Sequence, residues 1–399
     1  MSPIQLAVDL AEICFKKGIK TVFISPGSRN APLTIAFNRH PHIKTYVVPD
    51  ERVAAYQALG HIIQSKKPAA IACTSGTASL NYGPAVAEAF YQKLPLLVLT
   101  ADRPPEWIDQ LDGQTIRQKN IYNNHQKGFF EIPAHITDED ELWYAHRQFS
   151  EAINTLTHFP SGPVQINIPF AEPFYPETME LLPSPYIKKI DLWQGLPKIP
   201  EFAREIIQKR IRSFDKILII AGQSTLTDYK VEFFDKIQHI PVLGDVISNL
   251  HGLDHVVRHH DAFLIYPEEK LRPDLVISMG ESILSKQLKV FLRNNPPKQH
   301  WHIDPSGSSP DTHKALTDVF GIAPEALIDL LIENQEHVDR VFYEKWMERE
   351  VRTKIYVEEF ISSSDFGEFT ATGFLMRNMN DGSKLHLANS MPVRYANYV

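Results

Sequence analysis

Cysteine is scarce in this sequence, with only Cys14 and Cys73 among 399 residues. Two thiols cannot form the disulfide framework of a small secreted domain, nor a zinc site built from several thiolates. Stability must therefore come from hydrophobic cores. The chain length and a hydrophobic content of 43% provide enough material for two or three domains with large cores.

Positive charge and long apolar runs are lacking as well. The 41 Lys and Arg residues are outnumbered by 48 Asp and Glu residues, which argues against nucleic acid as the main partner. No apolar run approaches the ~20 residues needed to cross a bilayer. The opening "MSPIQLAVDLAEICFKKG" predicts an amphipathic helix, since it has neither the basic start nor the cleavage site of a signal peptide. These features indicate a cytoplasmic enzyme.

Apolar segments alternate with helical patterns through the first 170 residues. The predicted strands are KTVFIS, IKTYVVP, PAAIACTS, LPLLVLTAD and GPVQINIP, and the helices between them include APLTIAFNRH, DERVAAYQALGHIIQSK and ASLNYGPAVAEAFYQK. Strands that are apolar throughout and separated by helices are typical of a parallel sheet covered on both faces. The predicted fold class is therefore α/β.

A proline-rich segment, residues 172–200, reads as a linker to a second alternating block. Its predicted strands are DKILIIAG, IPVLGD, PDLVISMG and KQHWHIDP. The block lacks GxGxxG after its first strand, so a dinucleotide site is not expected. The histidines of HVVRHHD (255–261) lack a spaced set of further metal ligands, and we interpret them as part of a solvated loop. Residues 331–361 read as charged helix, and KLHLAN near the end as a strand that starts a third unit.

Four polar clusters follow predicted strands of the first block. They are SPGSRN (25–30), PDER (49–52), CTSGTAS (73–79) and TADRPPE (100–106). A single Gly/Ser-rich cluster after a strand is usually only a turn. Because the carboxyl ends of parallel strands meet at one edge of a sheet, the four together predict a binding site there.

Two of these clusters contain residues with more than one reading. Asp50 suits the N-cap of the helix that follows, which leaves Glu51 in need of another role. The turn at Ser75 and Gly76 could be a capped strand-to-helix connection, or its free backbone N–H groups could receive a polar heterocycle or an anion.

Arginines mark the other two clusters. Arg29 and Arg103 could each pair with a neighbouring acid. If both face one crevice near Ser28 and Gln114, their paired N–H donors suit the recognition of carboxylates. That arrangement favours a small substrate with several carboxylate groups.

The same segments carry a resemblance to a known family. The segments are SPGSRNAPL, PDERVAAYQALG, CTSGTASLNYGPAVAEA, LPLLVLTADRPPE, DGQTI and the late ANSMPVR. In this order they resemble the 2-succinyl-5-enolpyruvyl-6-hydroxy-3-cyclohexene-1-carboxylate synthases of menaquinone biosynthesis, which depend on thiamine diphosphate. The likeness runs along the whole chain and is strongest over residues 1–170. It implies a pyrimidine-binding α/β domain over 1–180 and a middle Rossmann-like α/β domain over 181–335. A helical connection and the start of a diphosphate-binding domain would then occupy 336–399.

The resemblance also implies the reaction. Thiamine diphosphate would promote decarboxylation of 2-oxoglutarate and addition of the resulting succinic-semialdehyde unit to isochorismate. Glu51 would hydrogen-bond the N1′ atom of the aminopyrimidine, favouring the imino form that removes the proton from the thiazolium carbon. Such a contact needs a carboxylate at a dry, fixed position. Glu51, Ser75 and Gly76 are therefore the candidate cofactor-binding residues, and Glu51 is the candidate catalytic residue.

Further positions match the substrate side of the family. The candidate substrate-binding residues are Ser28, Arg29, Arg103, Gln114, Lys286, Ser390 and Arg394. The position after Lys286 holds Gln287, where the family often has an arginine.

The acidic motif that holds Mg²⁺ or Mn²⁺ and the diphosphate in this family has no match in the sequence. A magnesium ion bridging phosphates needs several oxygen ligands. We therefore expect the metal and diphosphate site outside these residues, and expect the chain to be a truncated or split form with little activity by itself. The resemblance further implies a homo-oligomer, either a dimer or a tetramer.

Two other functions remain open on the sequence alone. One is a different thiamine-dependent 2-oxo acid decarboxylase or synthase; an enzyme of monocarboxylates would not need both Arg29 and Arg103. The other is a non-catalytic binding subunit on the same scaffold. The complete motif around Glu51 argues against this second alternative.

Overall fold

A computed structural model describes residues 3–172, 174–175, 181–195, 197–224 and 231–399. The chain divides into two compact units, Met1–Gln194 and Gly195–Val399. Each is an α/β unit around one parallel sheet, as predicted. Within the described ranges, no helix combines the length and apolar character needed to span a bilayer. The finer division of the second part at residue 336 stays a prediction.

The sheet of the first unit has six parallel strands in the order β2-β1-β3-β4-β6-β5. The strands are β1 Thr21–Ile24, β2 Lys44–Val47, β3 Ala69–Cys73, β4 Leu96–Asp102, β5 Gly128–Glu131 and β6 Val164–Pro169. The helices are α1 Pro3–Lys16, α2 Ala31–Arg39, α3 Glu51–Ser65, α4 Gly83–Tyr91 and α5 Glu139–Thr157.

Burial explains why these strands read as continuous apolar runs. The central strands β1, β3, β4 and β6 are buried at every position, because helices cover both faces of the sheet. Two core clusters, one on each side, fill the space between sheet and helices. The two edge strands differ: β2 has most of its side chains exposed, and β5 is half-buried at every position.

The segment predicted as one helix after β3 is divided in two. Residues Gly76–Tyr82 form a 3-10 helix, and α4 begins only at Gly83. Pro84 lies in the first turn of α4, where its missing N–H costs nothing, whereas the same residue inside a continuous helix would remove a hydrogen bond. The proline therefore sets the start of α4.

The sheet of the second unit also has six parallel strands, in the order β12-β11-β10-β7-β8-β9. They are β7 Ile217–Ala221, β8 Val242–Gly244, β9 Val256–Val257, β10 Leu275–Met279, β11 Gln299–Ile303 and β12 Leu316–Phe320. The helices are α6 Glu201–Ile211, α7 Val231–Asp235, α8 His260–Phe263, α9 Lys286–Asn294, α10 Pro324–Glu333, α11 Arg340–Ser363, α12 Glu368–Arg377 and α13 Met391–Tyr398.

Two predictions for this unit are wrong. The KLHLAN segment, residues 384–389, is irregular chain leading into α13 rather than a strand. An alternating pattern makes a strand only where a neighbouring strand satisfies its backbone groups, and none pairs with it among the described residues. His259 and His260 are buried rather than solvated: Glu350 accepts from His259 at 2.7 Å, and Asp245 lies 3.3 Å from His260.

The predicted linker is irregular where the structure describes it, but part of it is fixed in place. Residues 181–194, here called the strap, lie against α1 and α5 of the first unit. Ser184 donates both its N–H and its hydroxyl to the buried Asp9. Leu181 and Ile187 pack against the core cluster that contains α1. The proline-rich composition correctly predicted irregular chain, but it gave no sign of these remote partners.

Candidate functional site

The four polar clusters follow β1, β2, β3 and β4, which are consecutive neighbours in the sheet. The chain runs from β1 outward to β2 and then crosses to β3 on the other side, so the strand order reverses between β1 and β3. Crevices at such reversals are the usual ligand sites of open α/β sheets. Gly27 and Thr74 meet across this point so closely that an added Cβ on Gly27 would lie 2.5 Å from Thr74 Cβ.

Glu51 begins α3 at the carboxyl end of β2. Asp50 is the N-cap, and its side chain accepts from the Val53 N–H at 3.0 Å, as predicted. Glu51 is therefore not needed as the cap. Its carboxylate is half-buried and accepts a long hydrogen bond of 3.3 Å from Asn81 Nδ2, which leaves acceptor positions open.

The negative charge of Glu51 affects the groups beneath it. Burial raises the pKa of the Cys73 thiol, and the nearby Glu51 carboxylate raises it further. Burial likewise raises the pKa of Tyr82 well above its usual value, with smaller contributions from Cys73 and Glu51. Both groups therefore stay neutral near pH 7.

The turn at Ser75 and Gly76 is tightly constrained. Gly76 has a φ of +86°, and an added Cβ would come within 3.1 Å of the Gln114 carbonyl oxygen. Only glycine adopts this conformation readily. The expectation that the N–H groups of this turn are free is wrong for Gly76, whose N–H donates to the buried Gln118 Oε1 at 2.8 Å.

Arg29 is buried at the end of the loop that follows β1. Its Nη1 donates to the Phe170 carbonyl at 2.8 Å, and its guanidinium lies 4.5 Å from the centre of the Phe174 ring. Burial lowers the pKa of Arg29, and the positive charge of Arg103 lowers it further. The two arginines therefore interact electrostatically, a like-charge arrangement that an anionic ligand would stabilise.

Arg103 is held by acceptors from its own loop. Its Nη1 lies 2.6 Å from Asp112 Oδ2, and its Nε donates to the Gly113 carbonyl at 2.8 Å. Asp112 occupies one edge of the guanidinium in the way that a substrate carboxylate would. Arg103 therefore pairs with a local acid, which is the first of the two readings from the sequence, and it also interacts electrostatically with Arg29. Carboxylate recognition by the two arginines stays a prediction.

The remaining candidates are solvent-exposed. Ser28 and Gln114 are exposed in the first unit, and Gln114 has a positive φ of 55°. In the second unit Lys286 is the exposed first residue of α9, behind the N-cap Ser285. Ser390 has a φ of 73° and precedes α13, on which Arg394 is exposed one turn later. The structure thus groups the candidates of the first unit at one sheet edge; those of the second unit stay predictions.

Sequence reasoning missed several polar residues below this edge. Asp102, Gln118 and Asn167 are buried and hydrogen-bonded to one another or to site loops. One signal was available for Asn167, because polar residues alternate with apolar ones in the buried strand QINIP. Such residues need internal partners.

Comparison with known proteins places these residues in context. Residues 4–125 match the family model described as thiamine pyrophosphate enzyme, N-terminal TPP binding domain. A 2-succinyl-5-enolpyruvyl-6-hydroxy-3-cyclohexene-1-carboxylate synthase of Cytophaga hutchinsonii is 43% identical, with 98% of this chain and 71% of the relative covered. Synthases of the same name from Flavobacterium johnsoniae and Bacteroides thetaiotaomicron are 38% and 37% identical. They cover 99% and 98% of this chain, and 71% and 69% of their own lengths.

Proposed function

The chain belongs to the family of 2-succinyl-5-enolpyruvyl-6-hydroxy-3-cyclohexene-1-carboxylate synthases, and from this premise we propose its reaction. It is a thiamine diphosphate-dependent transferase of menaquinone biosynthesis. It decarboxylates 2-oxoglutarate and joins the four-carbon succinic-semialdehyde unit to isochorismate. Thiamine diphosphate, when bound, supplies the electron sink that stabilises the carbanion left by carbon dioxide.

The position of Glu51 is the observation that carries this proposal. Glu51 follows β2, and its carboxylate reaches Asn81 of the 3-10 helix after β3. Because Asp50 caps the helix, the Glu51 carboxylate is not needed for that role and keeps acceptor positions open. It is suited to accept a hydrogen bond from a pyrimidine ring nitrogen and to hold the shared proton there. Partial burial strengthens such a contact, because fewer water molecules compete for it.

Other residues at this edge fit the same cofactor. Thr74 Oγ1 is buried without a hydrogen-bond partner, which is unusual for a hydroxyl and supports a polar ligand nearby. The Gly76 turn lets the backbone approach a flat ring closely, since no side chain intervenes. Ser75 and Gly76 would therefore contact the cofactor through their backbone atoms.

For the substrate, we propose that Arg29 and Arg103 bind carboxylate groups. Their mutual repulsion is relieved when an anion lies between or beside them. Ser28 and Gln114 lie on the adjacent loops and offer neutral donors. Substrate-binding roles for Lys286, Ser390 and Arg394 are part of the same proposal and rest on their match to the family motifs.

We also propose Mg²⁺ or Mn²⁺ as the ion accompanying the diphosphate, because phosphate oxygens prefer hard cations. Among the described residues no cluster of His, Cys, Asp and Glu suits a metal.

We further propose that the protein is a homo-oligomer in the cytoplasm. This proposal is supported by exposed apolar side chains on and beside α3, namely Val47, Val53, Tyr56 and Leu80, which association would remove from water.

The decisive experiment replaces Glu51 by glutamine, which preserves shape but removes the charge. Glu139 provides a matched control, because it is also the first residue of a helix whose N-cap is the preceding aspartate, Asp138. We expect Glu51→Gln to slow thiamine diphosphate-dependent release of carbon dioxide from 2-oxoglutarate by about 10²- to 10⁴-fold, the usual range for losing proton-transfer assistance. Glu139→Gln should change it by less than about twofold, as expected for an exposed surface position.

The assay follows carbon dioxide release and product formation with isochorismate present, and repeats both with pyruvate in place of 2-oxoglutarate. Unchanged turnover in Glu51→Gln would refute the role of the carboxylate. Equal use of pyruvate would refute the second-carboxylate role of the arginines while leaving the thiamine assignment intact.

A further inference from the structure

Gln118 lies beneath the carboxyl edge of the first sheet and is only 1% exposed. Its Oε1 accepts from the Gly76 N–H at 2.8 Å. Its Nε2 donates to the Ala101 carbonyl at 3.1 Å and to Asn167 Oδ1 at 2.9 Å. A flipped amide would set its NH₂ group against the Gly76 N–H, so these partners fix its orientation.

The connection continues through Asn167 to the loop that carries Arg103. Asn167 Nδ2 donates to Asp102 Oδ2 at 2.8 Å, and Asp102 Oδ1 accepts from the Arg103 N–H at 2.8 Å. Gly76, Gln118, Asn167, Asp102 and Arg103 thus form one continuous hydrogen-bonded chain, here called the amide bridge. One end is the turn after β3, and the other is the loop after β4.

The interior of the amide bridge is shielded from water. Gln118, Asn167 and Asp102 are all buried. Burial raises the pKa of Asp102, an effect that the donors from Asn167 and Arg103 partly offset. In such surroundings hydrogen bonds are strong, and an unpaired group is costly. A displacement at one end must therefore be matched along the bridge or leave a buried group without a partner.

We propose that Gln118 is a positioning residue that fixes the cofactor turn at Gly76 and the carboxylate-binding Arg103 relative to each other. The inference rests on the proposed function, in which the turn contacts thiamine diphosphate and Arg103 binds a carboxylate of the 2-oxo acid. We assign Gln118 no contact with either ligand, because its side chain is buried and its amide is already hydrogen-bonded. Its replacement should weaken both binding events, because each depends on a loop that the bridge holds.

A purely structural role for Gln118 predicts a different outcome, and Gln165 provides the matched control. Gln165 is also a glutamine and is 0% exposed. Its Nε2 donates to Thr100 Oγ1 and to the Gln118 carbonyl, both at 3.1 Å. It therefore adjoins the bridge at the Gln118 backbone and, through Thr100 Oγ1, at Asn167 Oδ1. Neither of its own bonds is made to Gly76 or Arg103. If only general packing matters, Gln118→Met and Gln165→Met should behave alike.

The test is calorimetric titration of the full chain with thiamine diphosphate in the presence of Mg²⁺, and separately with 2-oxoglutarate. We expect Gln118→Met to weaken both affinities by about tenfold, corresponding to the loss of roughly one buried hydrogen bond. Gln165→Met should lower the thermal midpoint to a similar extent but leave both affinities within about twofold, because the side-chain amide of Gln118 keeps all its partners. Equal losses of affinity in the two variants would overturn the inference.

Gln118→Glu is the second variant, used if Gln118→Met does not fold. It keeps the acceptor for the Gly76 N–H but removes the N–H donors toward Ala101 and Asn167. It should weaken 2-oxoglutarate binding more than thiamine diphosphate binding; unchanged 2-oxoglutarate binding would overturn the inference. If the unmodified chain binds both ligands but neither Gln118 substitution changes the affinities, the positioning role of the amide bridge is refuted and the proposed function stands. Failure of the unmodified chain to bind either ligand would refute the cofactor and substrate roles proposed for the residues of the first unit, and the inference with them.

Discussion

Replacing Asp9 by alanine should release the strap from the first unit. The Asp9 carboxylate is fully buried and accepts four hydrogen bonds, one from Gln5, one from His146 and two from Ser184. Burial by itself would raise the pKa of Asp9, but the donors from His146 and Ser184 outweigh it and hold the pKa below that of an ordinary aspartate. The carboxylate is therefore ionised in the folded protein at neutral pH.

The size of the effect follows from what is left behind. The substitution leaves His146 Nε2 and both donors of Ser184 without their partner. Removing one partner from a buried charged network typically costs about 3–5 kcal/mol. The strap can move outward and let water reach Ser184, so we expect the lower end, ~3 kcal/mol. Asp191→Ala is the matched control, because Asp191 lies in the same strap but pairs with Lys17 and Lys189 in an exposed position.

The measurement is the urea midpoint of the first unit, together with hydrogen exchange of the strap amides. Asp9→Ala should lower the midpoint and abolish protection of the Ser184 amide, whereas Asp191→Ala should leave both nearly unchanged. Since the folded pKa of Asp9 is depressed, its contribution is present above about pH 3.8 and is lost as the pH falls below that value. Equal midpoints for the two variants at pH 7 would refute the reasoning.

Two further predictions concern the substrate loop and the second unit. Asp112→Asn should raise the affinity for 2-oxoglutarate by about twofold to fivefold, because Arg103 would no longer have to leave a partly exposed ion pair worth up to ~1 kcal/mol. The affinity is measured by calorimetry, with Asp109→Asn in the same loop as the control. Weaker binding by Asp112→Asn would contradict this prediction and show instead that Asp112 positions the arginine. Burial lowers the pKa of His300 to about 3 and of His313 to about 4. Protonation then favours the unfolded chain, so the second unit should lose up to ~1.4 kcal/mol per pH unit for each histidine as the pH falls from 6.5 toward 4. Urea midpoints at pH 7 and pH 5 should show a smaller decrease in His313→Asn than in the unmodified chain, and identical decreases would contradict the assignment.

Local patterns were enough for much of the fold. The apolar runs predicted the principal strands of both sheets, because strands buried on both faces must be apolar at nearly every position. Asp50 was predicted as an N-cap from its place before an apolar helix, and capping is a contact within one turn. Three short or polar strands, β5, β9 and β12, carry weaker patterns and were not predicted.

The errors have a common cause. His259 and His260 read as solvated because their partners Glu350 and Asp245 are remote in sequence. The KLHLAN segment reads as a strand, but a strand also requires a neighbour, which the segment itself cannot supply. In both cases the outcome depends on residues outside the segment itself.

The candidate site shows the same division. The sequence by itself determined which residues stand at the strand ends, since the alternation of strand and helix places Glu51, Gly76 and Arg103 immediately after apolar runs. Tertiary structure decided which of their groups are free and which are already bonded. Gln118 takes the Gly76 N–H because the parallel sheet brings together loops that are distant in sequence. Asp112 takes one edge of Arg103 because the loop that carries both residues folds back on itself. Periodicity reports which face of an element is buried, whereas the pairing of polar atoms depends on distances that only the folded chain defines.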